Sequence, residues 1–161
     1  MATTLYWLQS GACGGDSMSL LNQESPDLVE LLDLLDIDLL WHPSLSAGSE
    51  ADHTALLEDL TAGGRPLDLL CVEGSVIRGP GGTGMFCTRR GRPKKDLVAA
   101  LARRARYVVA VGTCAAYGGL GAGGEIEATG LQFHRDEIGG FLGSTFRSGG
   151  GLPVINLPGC P

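Results

Sequence analysis

Tyr107-Val108-Val109-Ala110-Val111 is a run of five apolar residues that ends abruptly in Gly112-Thr113-Cys114. A run without polar alternation is the pattern of a strand covered on both faces, as in the interior of a parallel sheet. Upstream, Pro93 opens a helix running to about Arg106. Leu97, Val98, Leu101 and Ala105 share one face, and Arg103, Arg104 and Arg106 fall in the last turn, where cations suit the helix dipole.

The same alternation continues toward the N-terminus. Leu5 to Gln9 reads as a first strand, and Ser17 or Ser19 caps a helix over roughly 20–35 that restarts at Pro26 with Ser25 as a second cap. Asp38 to His42 is a second strand ended by Pro43. Ala51, Ala55, Leu56 and Leu60 then mark a helix over 50–62 that stops at Gly63-Gly64, and Leu67 to Val72 is a third strand. Tyr107 to Val111 is the fourth and Leu152 to Leu157 the fifth, reached through a glycine-rich connection expected to hold one short helix near 135–142. Strands alternating with helices predict one α/β domain over 1–161, a doubly wound parallel sheet of about five strands with helices on both faces.

Composition agrees with a single packed body. A chain of 161 residues, 43% hydrophobic and 19% charged, buries a real core without covalent staples. Its net charge is −6, and its basic residues concentrate in Arg89 to Lys95 and Arg103 to Arg106, too small a surface for nucleic acid. No apolar run reaches the ~20 residues of a membrane span, and no basic stretch precedes an apolar one. The expectation is a cytoplasmic chain whose association with membranes, if any, runs through partners.

Five cysteines without a secretion signal make a poor disulfide framework. Three of them follow strands: Cys13 the first, Cys114 the fourth, Cys160 the fifth. Where a redox protein would carry Cys-x-x-Cys, Cys13-Gly14-Gly15-Asp16 has a carboxylate instead. In doubly wound sheets ligands gather beyond the carboxyl ends of the strands, so Cys13, Asp16, Cys114 and Cys160 make a candidate four-point metal site. Only one pair is close in sequence, which fits a zinc ribbon poorly and scattered iron–sulfur ligation better. A non-enzymatic zinc module on the same four residues stays open, as does Asp16 acting as a helix N-cap. Cys71, inside Leu69-Leu70-Cys71-Val72, reads as core. Glu73 follows the third strand directly, either as an acid or proton-relay group or as an acceptor holding its own loop. His42 ends the second strand before Pro43, and His53 and His134 lie in polar stretches, expected to be solvated.

Several motifs in order carry a resemblance. Trp7-Leu8-Gln9, Cys13, Ser19-Leu20-Leu21-Asn22, Val72-Glu73-Gly74-Ser75-Val76, Gly84-Met85-Phe86-Cys87, Gly112-Thr113-Cys114-Ala115 and Asn156-Leu157-Pro158-Gly159-Cys160-Pro161 together resemble the small subunit of nickel–iron hydrogenases. The resemblance implies a flavodoxin-like domain holding a proximal 4Fe-4S cluster on Cys13, Cys114 and Cys160, with Asp16 at the position of the family's second cysteine. That departure is similar to the actinobacterial-type branch, associated with uptake of dilute hydrogen and with oxygen tolerance. Cys87 matches an extra cysteine of oxygen-tolerant relatives, hence either a supernumerary ligand or a packed thiol. The family further implies a large subunit carrying the NiFe centre as partner, a higher oligomer of heterodimers, and more Fe-S clusters in a C-terminal region that this chain lacks. A related iron–sulfur subunit of complex I-like oxidoreductases is the alternative, since it shares the Gly-x-Cys and Pro-Gly-Cys-Pro motifs.

Overall fold

The computed structural model describes residues 2–11 and 13–161. Five parallel strands form the central sheet: β1 Thr3–Gln9, β2 Ile37–Trp41, β3 Leu69–Glu73, β4 Tyr107–Val111 and β5 Ile155–Leu157. Their order across the sheet is β5-β4-β3-β1-β2, the flavodoxin-like arrangement, with its reversal of direction between β1 and β3. The registers align the carboxyl ends in one row. Gln9 pairs with Glu73, Glu73 with Val111, and Val111 with Leu157. Whatever follows these four residues therefore emerges along a single edge.

One face of the sheet carries the main core. Helices α3 (Glu50–Ala62) and α4 (Lys94–Arg104) bring Leu57, Leu60, Val98 and Leu101 onto Tyr6, Leu8, Leu70, Val72, Val108 and Ala110. Leu60 and Leu101 are wholly buried, each contributing about 2 kcal/mol of transfer free energy. The opposite face is thinner. Leu5, Trp7 and Cys71 form its centre, and Leu20 of α1 (Gly15–Leu21) packs against them. Val109 and Val111 remain half-buried there, so β4 is fully covered on one side only, contrary to its apolar sequence.

Local chemistry explains the other departures from the sequence reading. The first helix starts at Gly15, not at a serine cap. Its N-cap is Gly14 in the left-handed region, φ 78°, with no side-chain cap bond. The second, α2 (Leu28–Leu34), is capped by Asp27, whose side chain accepts from the Glu30 N–H while Glu30 reciprocates; Ser25 is not the cap. The strand expected over Leu5 to Gln9 begins two residues earlier, at Thr3, while the 107–111 strand and the 50–62 helix stand as expected, and Gly63 closes α3 in the left-handed region. The last strand is confined to Ile155–Leu157. The helix expected near 135–142 is a hairpin of Phe133–His134 and Glu137–Ile138, turned through Arg135 at φ 55°. Cys114 lies in a short helix, α5 (Gly112–Tyr117), rather than in a loop.

Candidate metal centre

Three loops leave the aligned strand ends and return to one another. After β1, the Asp16 carboxylate lies against Gly112, the first residue beyond β4; a Cβ on Gly112 would overlap it, and Gly112 has φ 82°. After β4, the Thr113 N–H donates to the Gly159 carbonyl at 2.7 Å, which ties α5 to the loop beyond β5. That last loop closes the ring, because Cys13 Sγ and the Pro161 ring both face Gly15, where a Cβ would sit 3.2 Å and 3.3 Å from them. Cys114 Sγ is in turn packed over Gly119, φ 61°. Glycine at 15, 112 and 119 leaves open the space that side chains would fill.

The electrostatics match this convergence. Burial pushes the Cys114 thiol up, and negative charge on Cys160, Cys13 and Asp16 pushes it further. Burial and the neighbouring Glu73 likewise raise the Asp16 carboxyl, partly offset by its own backbone N–H. Cys160, Cys13 and Asp16 thus act on Cys114 as anions, a repulsion that a bound polynuclear cation would relieve. Three thiols and one carboxylate also fit the donor chemistry of an iron–sulfur cluster. Among the described residues no three His, Cys, Asp or Glu approach closely enough to hold a metal ion. Cys13 and Cys160 are exposed and Cys114 half-buried, so the edge is accessible from outside. Asp16 is in the first turn of α1 and does not cap it.

Beneath this edge lies a polar group set that the sequence reading divided wrongly. Glu73 is completely buried. It accepts from the Ser17 N–H at 3.0 Å, the Ser17 hydroxyl at 2.5 Å and the Trp7 indole N–H at 3.1 Å. It therefore anchors α1 to the sheet instead of holding its own loop. His42 is also buried, its ring 5.0 Å from that of Trp7. Its Nδ1 accepts from the Ser44 N–H at 3.1 Å, which leaves Nε2 to face Ser17 Oγ at 3.4 Å. Burial lowers the His42 pKa against the pull of Glu73, and with Nδ1 accepting, the ring N–H lies on Nε2, toward Ser17. The sequence marked Ser17 only as a cap candidate and His42 only by its place before Pro43, because the partners that give them this role are 56 and 25 residues away.

His53 is not a solvated residue. It stacks on Trp41 at 3.6 Å and meets the Tyr6 hydroxyl at 2.6 Å and Arg89 at 3.2 Å. His134 is half-buried, with an Nδ1 that has no partner among the described residues. Cys71 is core as expected, its thiol pushed up to about 12 by burial. Cys87 is half-buried ahead of the hairpin 88–93 and its carbonyl accepts from the Lys94 N–H at 2.8 Å.

The profile of the NADH ubiquinone oxidoreductase 20 Kd subunit family matches residues 13–161. The chain belongs to that family. Curated relatives of this oxidoreductase-family chain are hydrogenase small subunits, in keeping with the resemblance read from the motifs. The F420 non-reducing hydrogenase I small subunit of Methanosarcina mazei is 34% identical over 99% of this chain and 45% of its own length. The hydrogenase-2 small chain of Escherichia coli K12 is 31% identical over 98% of this chain and 38% of its own. Among solved structures, the actinobacterial-type NiFe-hydrogenase of Ralstonia eutropha H16 superposes with a TM-score of 0.83 at 28% identity, covering 99% of this chain and 49% of that one. The family member described here thus spans less than half the length of these relatives.

Proposed function

We propose that this chain is the proximal-cluster part of a NiFe hydrogenase small subunit, with a 4Fe-4S cluster held by Cys13, Asp16, Cys114 and Cys160. The observation that carries the reading is the convergence of the loops after β1, β4 and β5, in which Asp16 meets Gly112 and Thr113 is bonded to Gly159. When bound, the cluster supplies a one-electron relay between a large-subunit NiFe centre oxidising hydrogen and an outside acceptor.

The chain's own contribution is positioning. The Glu73 bonds to Ser17 and Trp7 hold α1 on the sheet, and with it the neighbouring Asp16. The aligned strand ends fix Cys114 and Cys160 three residues beyond Val111 and Leu157. The uptake direction, the actinobacterial-type assignment with its oxygen tolerance, Cys87 as an extra ligand, the large subunit as partner in an oligomer of heterodimers and a cytoplasmic location belong to the same proposal. Among the described residues no helix is long and apolar enough to cross a membrane. An iron–sulfur role in a complex I-like oxidoreductase is the second reading, favoured by the description of the matching family.

Anaerobic purification of the full chain, with iron and sulfide analysis and electron paramagnetic resonance, tests the site. The expected result is a brown protein with iron and sulfide in equal amounts, lost in Cys114→Ala. A colourless protein, or one binding zinc alone, removes the cluster. Co-expression with a hydrogenase large subunit, followed by hydrogen-dependent dye reduction, separates the hydrogenase from the complex I-like reading.

A further inference from the structure

A groove of about 750 Å3 runs between α3 and α4 and shares no lining residue with the strand-end centre. Its size is that of a small-molecule site. Leu57 and Leu97 form an apolar floor, with Ala100 beside them, and Thr54 and Thr61 stand on the α3 wall. The rim is the hairpin of Thr88–Arg89 and Arg92–Pro93.

The lining concentrates positive charge in a chain whose net charge is −6. Arg89, Arg90, Arg92 and Lys94 face Glu58 and Asp96. Arg89 is answered by Glu50 at 2.7 Å, and Asp96 by Lys95 at 3.1 Å. Arg90, Arg92 and Lys94 then stand against Glu58 alone. Lys94 is committed to the Gln9 carbonyl at 3.1 Å, so it lends field rather than a free donor. Arg90 and Arg92 are exposed and are needed by no core contact.

The rim holds Arg90 in place and sets Arg92 beside it across the two-strand hairpin. Arg90 and Gly91 have φ values of 51° and 74°, the turn geometry that matches the twist of a tight hairpin. A bulky residue in the left-handed region is uncommon, and here it directs Arg90 back across the groove, where Nη1 donates to Thr54 Oγ1 at 3.1 Å. Arg89 next to it is fixed by Glu50 and His53. Prior ordering of the hairpin reduces the side-chain entropy lost when an anion arrives. Guanidinium pairs recognise phosphate oxygens in bidentate fashion.

We propose that this groove binds a phosphorylated small molecule of mononucleotide size, its phosphates on Arg90 and Arg92 and its apolar part on Leu57 and Leu97. The site stands independently of the metal centre. Its floor distinguishes it from a plain anion patch, because an inorganic polyphosphate has nothing to place there.

Titration calorimetry on the full chain tests this with three probes: adenosine triphosphate, inorganic triphosphate and adenosine. Adenosine triphosphate is expected to bind, with affinity falling as salt rises. Loss of two charge-assisted contacts in Arg90→Gln/Arg92→Gln should weaken it about tenfold or more. The charge-matched pair Arg103→Gln/Arg147→Gln, on exposed positions elsewhere, should change it less than about twofold. Triphosphate binding as tightly as the nucleotide overturns the apolar half of the proposal. Absence of binding by both phosphates, or binding unchanged in the rim variant, overturns the site.

Discussion

The Asp16 carboxylate rests against the Cα of Gly112, although the two residues are 96 positions apart in the chain. Gly112→Ala places a methyl where the carboxylate sits and forces alanine into φ 82°. The backbone part alone costs about 1–2 kcal/mol. Asp16→Gly/Gly112→Ala should recover the overlap but not the backbone part. Urea denaturation of the four proteins measures the coupling, and strict additivity would mean that the two residues do not touch.

Removing Glu73 leaves three donors in a buried space: the Ser17 N–H, the Ser17 hydroxyl and the Trp7 indole N–H. Glu73→Ala is expected to lose about 3 kcal/mol or more, since each stranded donor carries its own desolvation cost. Glu73→Gln keeps the shape but turns an amide N–H2 toward donors, so its loss should be smaller, about 1–2 kcal/mol. Equal effects from the two substitutions would show that the paired carboxylate acceptors, not the volume, are what the site requires; a Gln variant as stable as the parent would show the reverse.

His53 gives a pH dependence with a definite sign. Burial and the Arg89 guanidinium lower its pKa from 6.5 to about 4. Above 6.5 the ring is neutral in folded and unfolded chains alike and contributes no slope. Between 6.5 and about 4 only the unfolded chain takes up the proton, so stability falls as the pH falls through this window. Denaturation midpoints across it should flatten in His53→Gln, and an unchanged slope would assign the pH dependence to other groups.

Asp16→Cys probes the fourth ligand. Carboxylate oxygen is a harder, less covalent donor than thiolate, so the substitution is expected to shift the cluster potential and change its lifetime in oxygen. Redox titration of the full chain, followed by electron paramagnetic resonance, reads both. An unmoved potential together with an unmoved lifetime removes Asp16 from the ligand set.

Patterns that repeat locally were legible in sequence. The five-residue apolar run at 107–111 marked an interior strand, and the Gly63 stop marked the end of α3. Alternation of strand and helix was enough to indicate the doubly wound sheet, because parallel strands need crossovers. Failures came where distant partners decide. Gly14 begins α1 earlier than any serine because its left-handed backbone starts the helix with no side-chain cap. The 133–138 hairpin was mistaken for a helix because its turn rests on a non-glycine residue, Arg135, in a conformation that composition does not signal. Ser17 and His42 acquire meaning only beside Glu73, which topology brings to them.

β5 is three residues long, pairs with β4 alone and forms an edge of the sheet, with Ile155 and Leu157 both exposed. Cys160 is attached to this weakly secured segment, and the Thr113–Gly159 bond is its nearest anchor. A cluster bridging Cys160 to Cys13 and Cys114 would act as a cross-link between first and last strands, supplying cohesion that the short ladder lacks. Loading and folding are then one thermodynamic event at this edge: the cluster-free chain should exchange its 155–157 amide hydrogens fastest of the central strands, and the loaded chain should not.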